Sequence, residues 1–302
     1  VKEQDIDQQA DDDGAQLLPA HVAQGEGSIV LAATPIGNMG DASFRLVSLL
    51  ETADVIAAED TRRLQRLIRA LGVTPKGRTL SYHEHNEASR TGELLDLVTG
   101  GATLLMVTDA GMPSVSDPGF RLVEAAAERG ITVTAAPGPS AVLTALALSG
   151  LPTDRFTFEG FLPRKAGERA ARLAELRAER RTMVFFEAPH RLEAMIRALH
   201  QEFGADRPAC VTRELTKRYE EVVRGSLQHL LEWVEGVAAR GEIAVVVGGA
   251  SAAAPSEPAD HVGAVNQLLE QGLRLKEAVA AVAEDARVSK RELYAAVVAA
   301  RS

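Results

Sequence analysis

Residues 104–119 read L-L-M-V-T-D-A-G-M-P-S-V-S-D-P-G, and this stretch decides the fold class. Leu104 to Thr108 is a short apolar run of the length and composition of a buried strand. It passes without a helical turn into two glycines and two prolines, Gly111, Pro113, Pro118 and Gly119. Such a loop is rigid, and its backbone can approach a ligand closely. A Gly/Pro loop at the carboxyl end of a buried strand is the usual place for a ligand in an α/β sheet.

The same arrangement recurs on both sides of it. Ser28 to Ala33 runs into Thr34-Pro35-Ile36-Gly37-Asn38, and Ile131 to Ala136 into Pro137-Gly138-Pro139-Ser140-Ala141. The latter turn opens a helix whose free amides suit a carboxylate. Further strands are expected at Met183 to Glu187, Ala209 to Arg213 and Glu242 to Gly248. Helical patterns alternate with them, Phe44, Val47 and Leu50 after Asp41, and Leu94, Leu95 and Val98 after Asn86. The alternation predicts α/β layers around a sheet. Three strands ending in Gly/Pro loops suggest one shared site.

Composition narrows the function class. The 302-residue chain is 46% hydrophobic and 25% charged, enough for a large core in a soluble globular protein. A single cysteine, Cys210, excludes an internal disulfide framework and fits a reducing cytoplasm. No apolar run reaches the roughly 20 residues of a membrane helix. No G-x-G-x-x-G follows the first strand and no G-K-[ST] occurs, which excludes the Rossmann fingerprint and the P-loop. The net charge of −9 argues against nucleic acid only until its distribution is followed. Residues 1–27 carry one lysine against seven acids, an acidic tail of disorder-prone composition. Basic stretches remain at Arg62, Arg63, Arg66 and Arg69 and between Arg164 and Arg181, either RNA-facing or plain solvated helix faces.

Residues 251–260 read as a Pro-containing linker. Beyond them, 261–302 show two helical stretches, one through Leu268, Leu269, Leu275, Val279 and Val282, the other from Leu293 to Ala300, with an S-x-x-E box at Ser289 and Glu292. Lys290 and Arg291 fall in the first turn of the last helix. The helix dipole disfavours cations there, so an external anion is a natural partner. The module reads as a helix-turn-helix-like RNA-binding unit or as a dimerising helical pair.

In order along the chain stand A-T-P-I-G-N (33–38), A-A-E-D-T-R (57–62), H-E-H-N-E (83–87), D-A-G-M-P (109–113), P-G-P-S (137–140), G-L-P-T-D-R-F (150–156), E-G-F-L-P (159–163) and R-E-L-T-K (213–217). With these segments the chain, from about Ile29 to Val247, resembles the ribosomal RNA small subunit methyltransferase I family of the tetrapyrrole (corrin/porphyrin) methylases. The resemblance implies two α/β domains, 28–137 and 138–250, with S-adenosylmethionine between them, a homodimer, and 2′-O-methylation of a cytidine in the decoding region of small-subunit ribosomal RNA. It places cofactor contacts at Pro35, Asp109, Gly111, Pro113, Ser140, Glu187, Ala188 and Leu215. It also likens the terminal helical module to an extension that aids RNA binding. The acidic N-terminal extension departs from the family pattern.

A ribose hydroxyl is a poor nucleophile while protonated, so a base or a cation near it should help. The candidates are Asp60 with Arg62, His85 with Asn86, and Lys217. Each has a structural alternative. Glu59, Asp60 and Arg62 can form a salt-bridged helix start, and Glu214 can pair with Lys217 three residues on. His83 and His85 lack further ligands for a metal, and Glu87 suits a ring or a ribose hydroxyl. Arg63, Arg164, Lys165, Lys290 and Arg291 are candidates for RNA phosphates. A corrinoid or porphyrin methylase and a non-catalytic ribosome-assembly factor are the rival readings, since fold does not fix substrate.

Overall fold

A computed structural model describes residues 26–236, 240–251, 258–286 and 288–301. The acidic tail and most of segment 251–260 lie outside the described residues. By internal contacts the chain separates into two units, 1–248 and 249–302.

The first unit holds two five-stranded sheets. In the first, β1 (Ser28–Ala32), β2 (Val55–Ala58), β3 (Arg78–Ser81), β4 (Thr103–Val107) and β5 (Thr132–Ala136) lie in the order β3-β2-β4-β1-β5. All four pairings are parallel. Parallel strands need crossovers on their faces. Helices α1 (Phe44–Thr52), α2 (Thr61–Leu71), α3 (Glu87–Thr99) and α4 (Phe120–Glu128) supply them. The two-residue repeat of the strands divides the apolar side chains between two cores. Val30, Ile56, Leu105 and Val107 pack with Leu46, Leu49 and Leu50 of α1 and Leu64 of α2. Ile29, Ala57, Leu104 and Met106 pack on the opposite face with Leu94 and Leu95 of α3 and Leu122 of α4.

After β5 the chain leaves the first sheet. Helix α5 (Ala141–Ser149) packs instead on a mixed second sheet of β6 (Phe156–Phe161), β7 (Thr182–Glu187), β8 (Pro208–Arg213), β9 (Glu221–Ser226) and β10 (Ile243–Val247), ordered β6-β7-β10-β8-β9. The other face buries Leu173 of α6 (Ala166–Leu176), Ile196 and Leu199 of α7 (Leu192–Phe203) and Leu230 of α8 (Leu227–Glu235).

The sequence reading finds six of these ten strands to within a residue at each end and misses β2, β3, β6 and β9. Of the apolar residues expected on the buried face of α1, Leu50 is buried and Val47 packs against the core, but Phe44 is 95% exposed. Ser43 caps this helix by accepting from Leu46 N–H, and Leu46 and Leu49 complete the buried face.

The second unit is a small helical cluster. Its helices are α9 (Val262–Glu270), α10 (Leu275–Asp285) and α11 (Lys290–Ala299), around Val265, Val279, Leu293 and Val297. The first of the two expected stretches is therefore two helices. Gly272 at φ +93° turns the chain between them, a conformation open to glycine. Ser289 caps α11 by accepting from Glu292 N–H, and Lys290 and Arg291 are exposed in its first turn. No described helix is long and apolar enough to cross a membrane.

Candidate functional site

The loops after β1, β2, β4 and β5 meet at the carboxyl end of the first sheet. Thr34 and Gly111 exchange two backbone hydrogen bonds, 2.9 and 3.0 Å, and the Thr34 hydroxyl donates to Thr108 O at 3.1 Å. These bonds tie the exit of β1 to that of β4. The loop beyond Thr108 turns through left-handed backbone at Gly111 (φ +84°), Ser114 (+71°), Ser116 (+62°) and Gly119 (+135°). Left-handed serines are uncommon and each stores strain, which persists only where the surroundings impose it.

Two cavities open around this loop. The first, about 390 Å³, takes its walls from both sheets of the unit and contains Gly111, Ser140, Glu187, Ala188 and Leu215, together with Asp117. Five residues that the family resemblance assigns to the cofactor thus share one space. Glu187 is only 3% exposed. Its Oε1 accepts from Ala188 N–H at 2.8 Å and faces Arg191 Nε at 3.3 Å. Its Oε2 has no hydrogen-bond partner among the described residues. A buried charged oxygen without a partner is costly, so a donor from a bound ligand is the natural complement.

Pro35 and Asp109 line a second cavity of about 350 Å³ with Glu59, Asp60, Arg63 and Arg66. Its carboxylates are linked. Asp109 N–H donates to Glu59 Oε2 and Asp60 N–H to Asp109 Oδ1, both at 3.2 Å, and Arg63 Nε meets Asp109 Oδ2 at 3.2 Å. Burial raises the pKa of both Glu59 and Asp109 above the ordinary carboxylate range. Pro113 is buried in the loop and lines neither cavity.

The expected catalytic residues are not gathered in one place. Asp60 caps α2 and holds Arg62 through side-chain and backbone hydrogen bonds, which lower its pKa to about 2. A carboxylate of such low basicity is a poor proton acceptor, and Arg62 points away, 85% exposed, toward an open groove with Arg66 and Arg69. Asn86 is consumed by the turn before α3, its Oδ1 accepting from His83 N–H and its Nδ2 donating to Ser81 O. His85 is exposed, its ring edge-on to His83 at 6.0 Å, and Glu87 pairs with Arg121 at 2.9 Å. Lys217 donates to Glu214 at 2.8 Å and Glu242 at 3.0 Å. Burial alone would lower the Lys217 pKa, but these two bonds outweigh it and raise it, so Lys217 is a fixed cation rather than a base. Arg164 and Lys165 are exposed beside α6, Lys165 paired with Glu168. Sequence spacing did not single out Asp117, which folding brings into the first cavity.

Comparison with known proteins gives the family and the fold. The family model for Tetrapyrrole (Corrin/Porphyrin) Methylases matches residues 28–231. The Ribosomal RNA small subunit methyltransferase I of Mycobacterium bovis is 50% identical over 276 residues, 91% of this chain and 96% of that protein. The crystal structure of the methyltransferase CobJ superposes with a TM-score of 0.55 at 20% identity, over 74% of this chain and 95% of that one. The uroporphyrin-III C-methyl transferase of Thermus thermophilus, solved with S-adenyl homocysteine, gives 0.50 at 19% identity, over 73% and 96%. With a family model over most of the first unit and half-identity over nearly the whole chain, the protein belongs to the ribosomal RNA small subunit methyltransferase I family of the tetrapyrrole methylases.

Proposed function

We propose that the chain methylates the 2′-oxygen of a cytidine ribose in the decoding region of 16S ribosomal RNA, using S-adenosylmethionine. The observation that carries this reading is the convergence of Gly111, Ser140, Glu187, Ala188 and Leu215 on one cavity beside a second that is acid-floored and arginine-rimmed. The first suits the cofactor. Leu215 and Ile36 offer apolar wall, Gly111 a close backbone approach, Ser140 the start of α5, whose free amides suit a carboxylate, and Glu187 Oε2 a free acceptor. When bound, S-adenosylmethionine supplies an electrophilic methyl group. The second cavity suits the acceptor nucleoside, with Glu59 and Asp109 for amino or hydroxyl donors and Arg63 and Arg66 for phosphate. Holding the ribose oxygen in line with the methyl group accounts for roughly 7–11 kcal/mol of barrier reduction. A cytoplasmic homodimer acting on the small ribosomal subunit completes the reading. Nucleoside mass spectrometry of ribosomal RNA tests it: 2′-O-methylcytidine appears when the chain is supplied and is absent without it.

The second unit is assigned to RNA, through Lys290 and Arg291. A chain ending at Ala250 is expected to keep its cofactor affinity and lose RNA affinity. Replacing Lys290 and Arg291 by Glu should reproduce much of that loss. It should also flatten the dependence of log affinity on log salt by about 0.7–0.9 for each phosphate contact removed. Filter binding across a salt series reads both, and equal RNA affinity for the full and shortened chains would assign the helical unit to dimerisation instead.

A further inference from the structure

Five half-buried or buried carboxylates line the two cavities, and four of them are engaged, Asp60 with Arg62. Glu59 accepts from Asp109 N–H, Asp109 accepts from Asp60 N–H and pairs with Arg63, and Glu187 accepts from Ala188 N–H and pairs with Arg191. Asp117 has no hydrogen bond or ion pair among the described residues. It lies between the left-handed residues Ser116 and Gly119, so the strained part of the loop is the part that carries it. It lines the first cavity, and it lies close enough to Glu59 and Asp109 of the second for both to act on its charge. A group at this junction is where a methyl donor in one cavity meets an oxygen presented from the other.

We propose that Asp117 is the proton acceptor of the methyl transfer, a role that rests on the ribose reading above. The ribose oxygen forms the new C–O bond as the methyl–sulfur bond breaks, the sulfur keeps that electron pair, and the hydroxyl proton passes to the Asp117 carboxylate. S-adenosylhomocysteine, the methylated ribose and a protonated Asp117 are left, and the proton is then released to solvent. The chain's other candidates are less suited. Asp60 is held at low basicity by Arg62, and Lys217 is protonated between two glutamates. Asp117 has the opposite tuning. Burial first, then the charges of Glu59 and Asp109, push its pKa up to about 7, where a base accepts a proton readily and still ionises at neutral pH. The charged groups facing it are Glu59 and Asp109, with Glu187 and Glu242 in the walls of its cavity.

Single-turnover methylation of unmodified small subunits across pH 5.5–9 tests this, together with cofactor calorimetry and thermal melts of the same proteins. The wild-type rate should rise through about pH 7 and level off. Asp117→Asn should lose on the order of 100-fold in rate, lose the rise, and bind S-adenosylhomocysteine within about twofold of wild type. Asp117→Glu should recover part of the rate and the pH dependence. The melts supply a readout without turnover. A carboxyl whose folded pKa is raised stabilises the fold in its protonated form, and that contribution is lost as pH rises through about 7. The wild-type melting temperature should therefore fall from pH 6 to pH 8 by more than that of Asp117→Asn. Full transfer by Asp117→Asn, or a lost cofactor affinity that accounts for its defect, overturns the assignment alone. No transfer by the unaltered chain overturns the ribose reading, and the assignment with it.

Discussion

Replacing Gly111 by Val is expected to reduce affinity for S-adenosylhomocysteine by about tenfold to a hundredfold. Nothing in the protein crowds this position, because a Cβ there would stand 3.6 Å from Ile36 Cγ2 and 3.8 Å from Pro139 O, ordinary contacts. The penalty comes from the backbone. Gly111 is left-handed at φ +84°, and a β-branched residue held there is strained by roughly 1–3 kcal/mol. Relief requires rotating the peptide, which breaks the paired hydrogen bonds with Thr34 and shifts the loop that carries Asp109 and Asp117. The valine methyls would also enter the first cavity. Gly72 is a control: it is left-handed at φ +70° at the end of α2, with nothing within 4 Å of an added Cβ. Gly72→Val should lower stability and leave cofactor binding unchanged. Calorimetry in which Gly111→Val binds like the wild type would remove Gly111 from the site.

Glu187 should show two separable effects. Glu187→Leu removes the carboxylate from a buried pair and leaves Arg191 only the carbonyls of Leu162 and Pro163, which it already engages. Breaking such a pair costs about 3–5 kcal/mol, and the remaining carbonyls argue for the lower end. Urea titration should show it. Glu187→Gln keeps an oxygen for Ala188 N–H but puts an amide donor where the free Oε2 stands. A hydrogen bond to a charged group contributes about 1.5–3 kcal/mol. Glu187→Gln should therefore retain most of its stability and lose at least about tenfold in cofactor affinity. Unchanged binding would mean that the ligand does not use Oε2.

The parts of this fold that could be read from sequence are those where local chemistry has one reading. β1, β4 and β10 are apolar runs buried on both faces, and the Gly/Pro loops declare themselves because glycine and proline concentrate where the chain turns sharply. The missed strands lack that signal. β2 is four residues, V-I-A-A, running directly into a helix cap. β3, R-T-L-S, is a polar edge strand. In β6 a register shift between Phe158 and Gly160, with Gly160 at φ +63°, breaks the alternation. Phe44 misleads because an apolar side chain in the first turn of a helix looks like core until Ser43 fixes the helical phase. At the candidate site, the sequence shows which loops stand at the strand ends. It does not show how the side chains expected to react are engaged, because Asn86 is spent on a turn and Lys217 on two glutamates, uses that depend on tertiary partners. Asp117 has no distinctive spacing, and only the burial and the neighbouring carboxylates that folding brings set it apart.

Alkaline cleavage of the product separates ribose methylation at a single nucleotide from base methylation. A 2′-O-methyl group removes the hydroxyl that attacks the adjacent phosphodiester, so the modified nucleotide leaves a gap in the ladder. Ribosomal RNA offers many chemically similar hydroxyls, and selection among them must come from RNA shape and backbone contacts. The chain, S-adenosylmethionine and unmodified small subunits should therefore give one gap, at a cytidine of the decoding region. Methyl incorporation with an uninterrupted ladder, or transfer to a porphyrin alone, would contradict it.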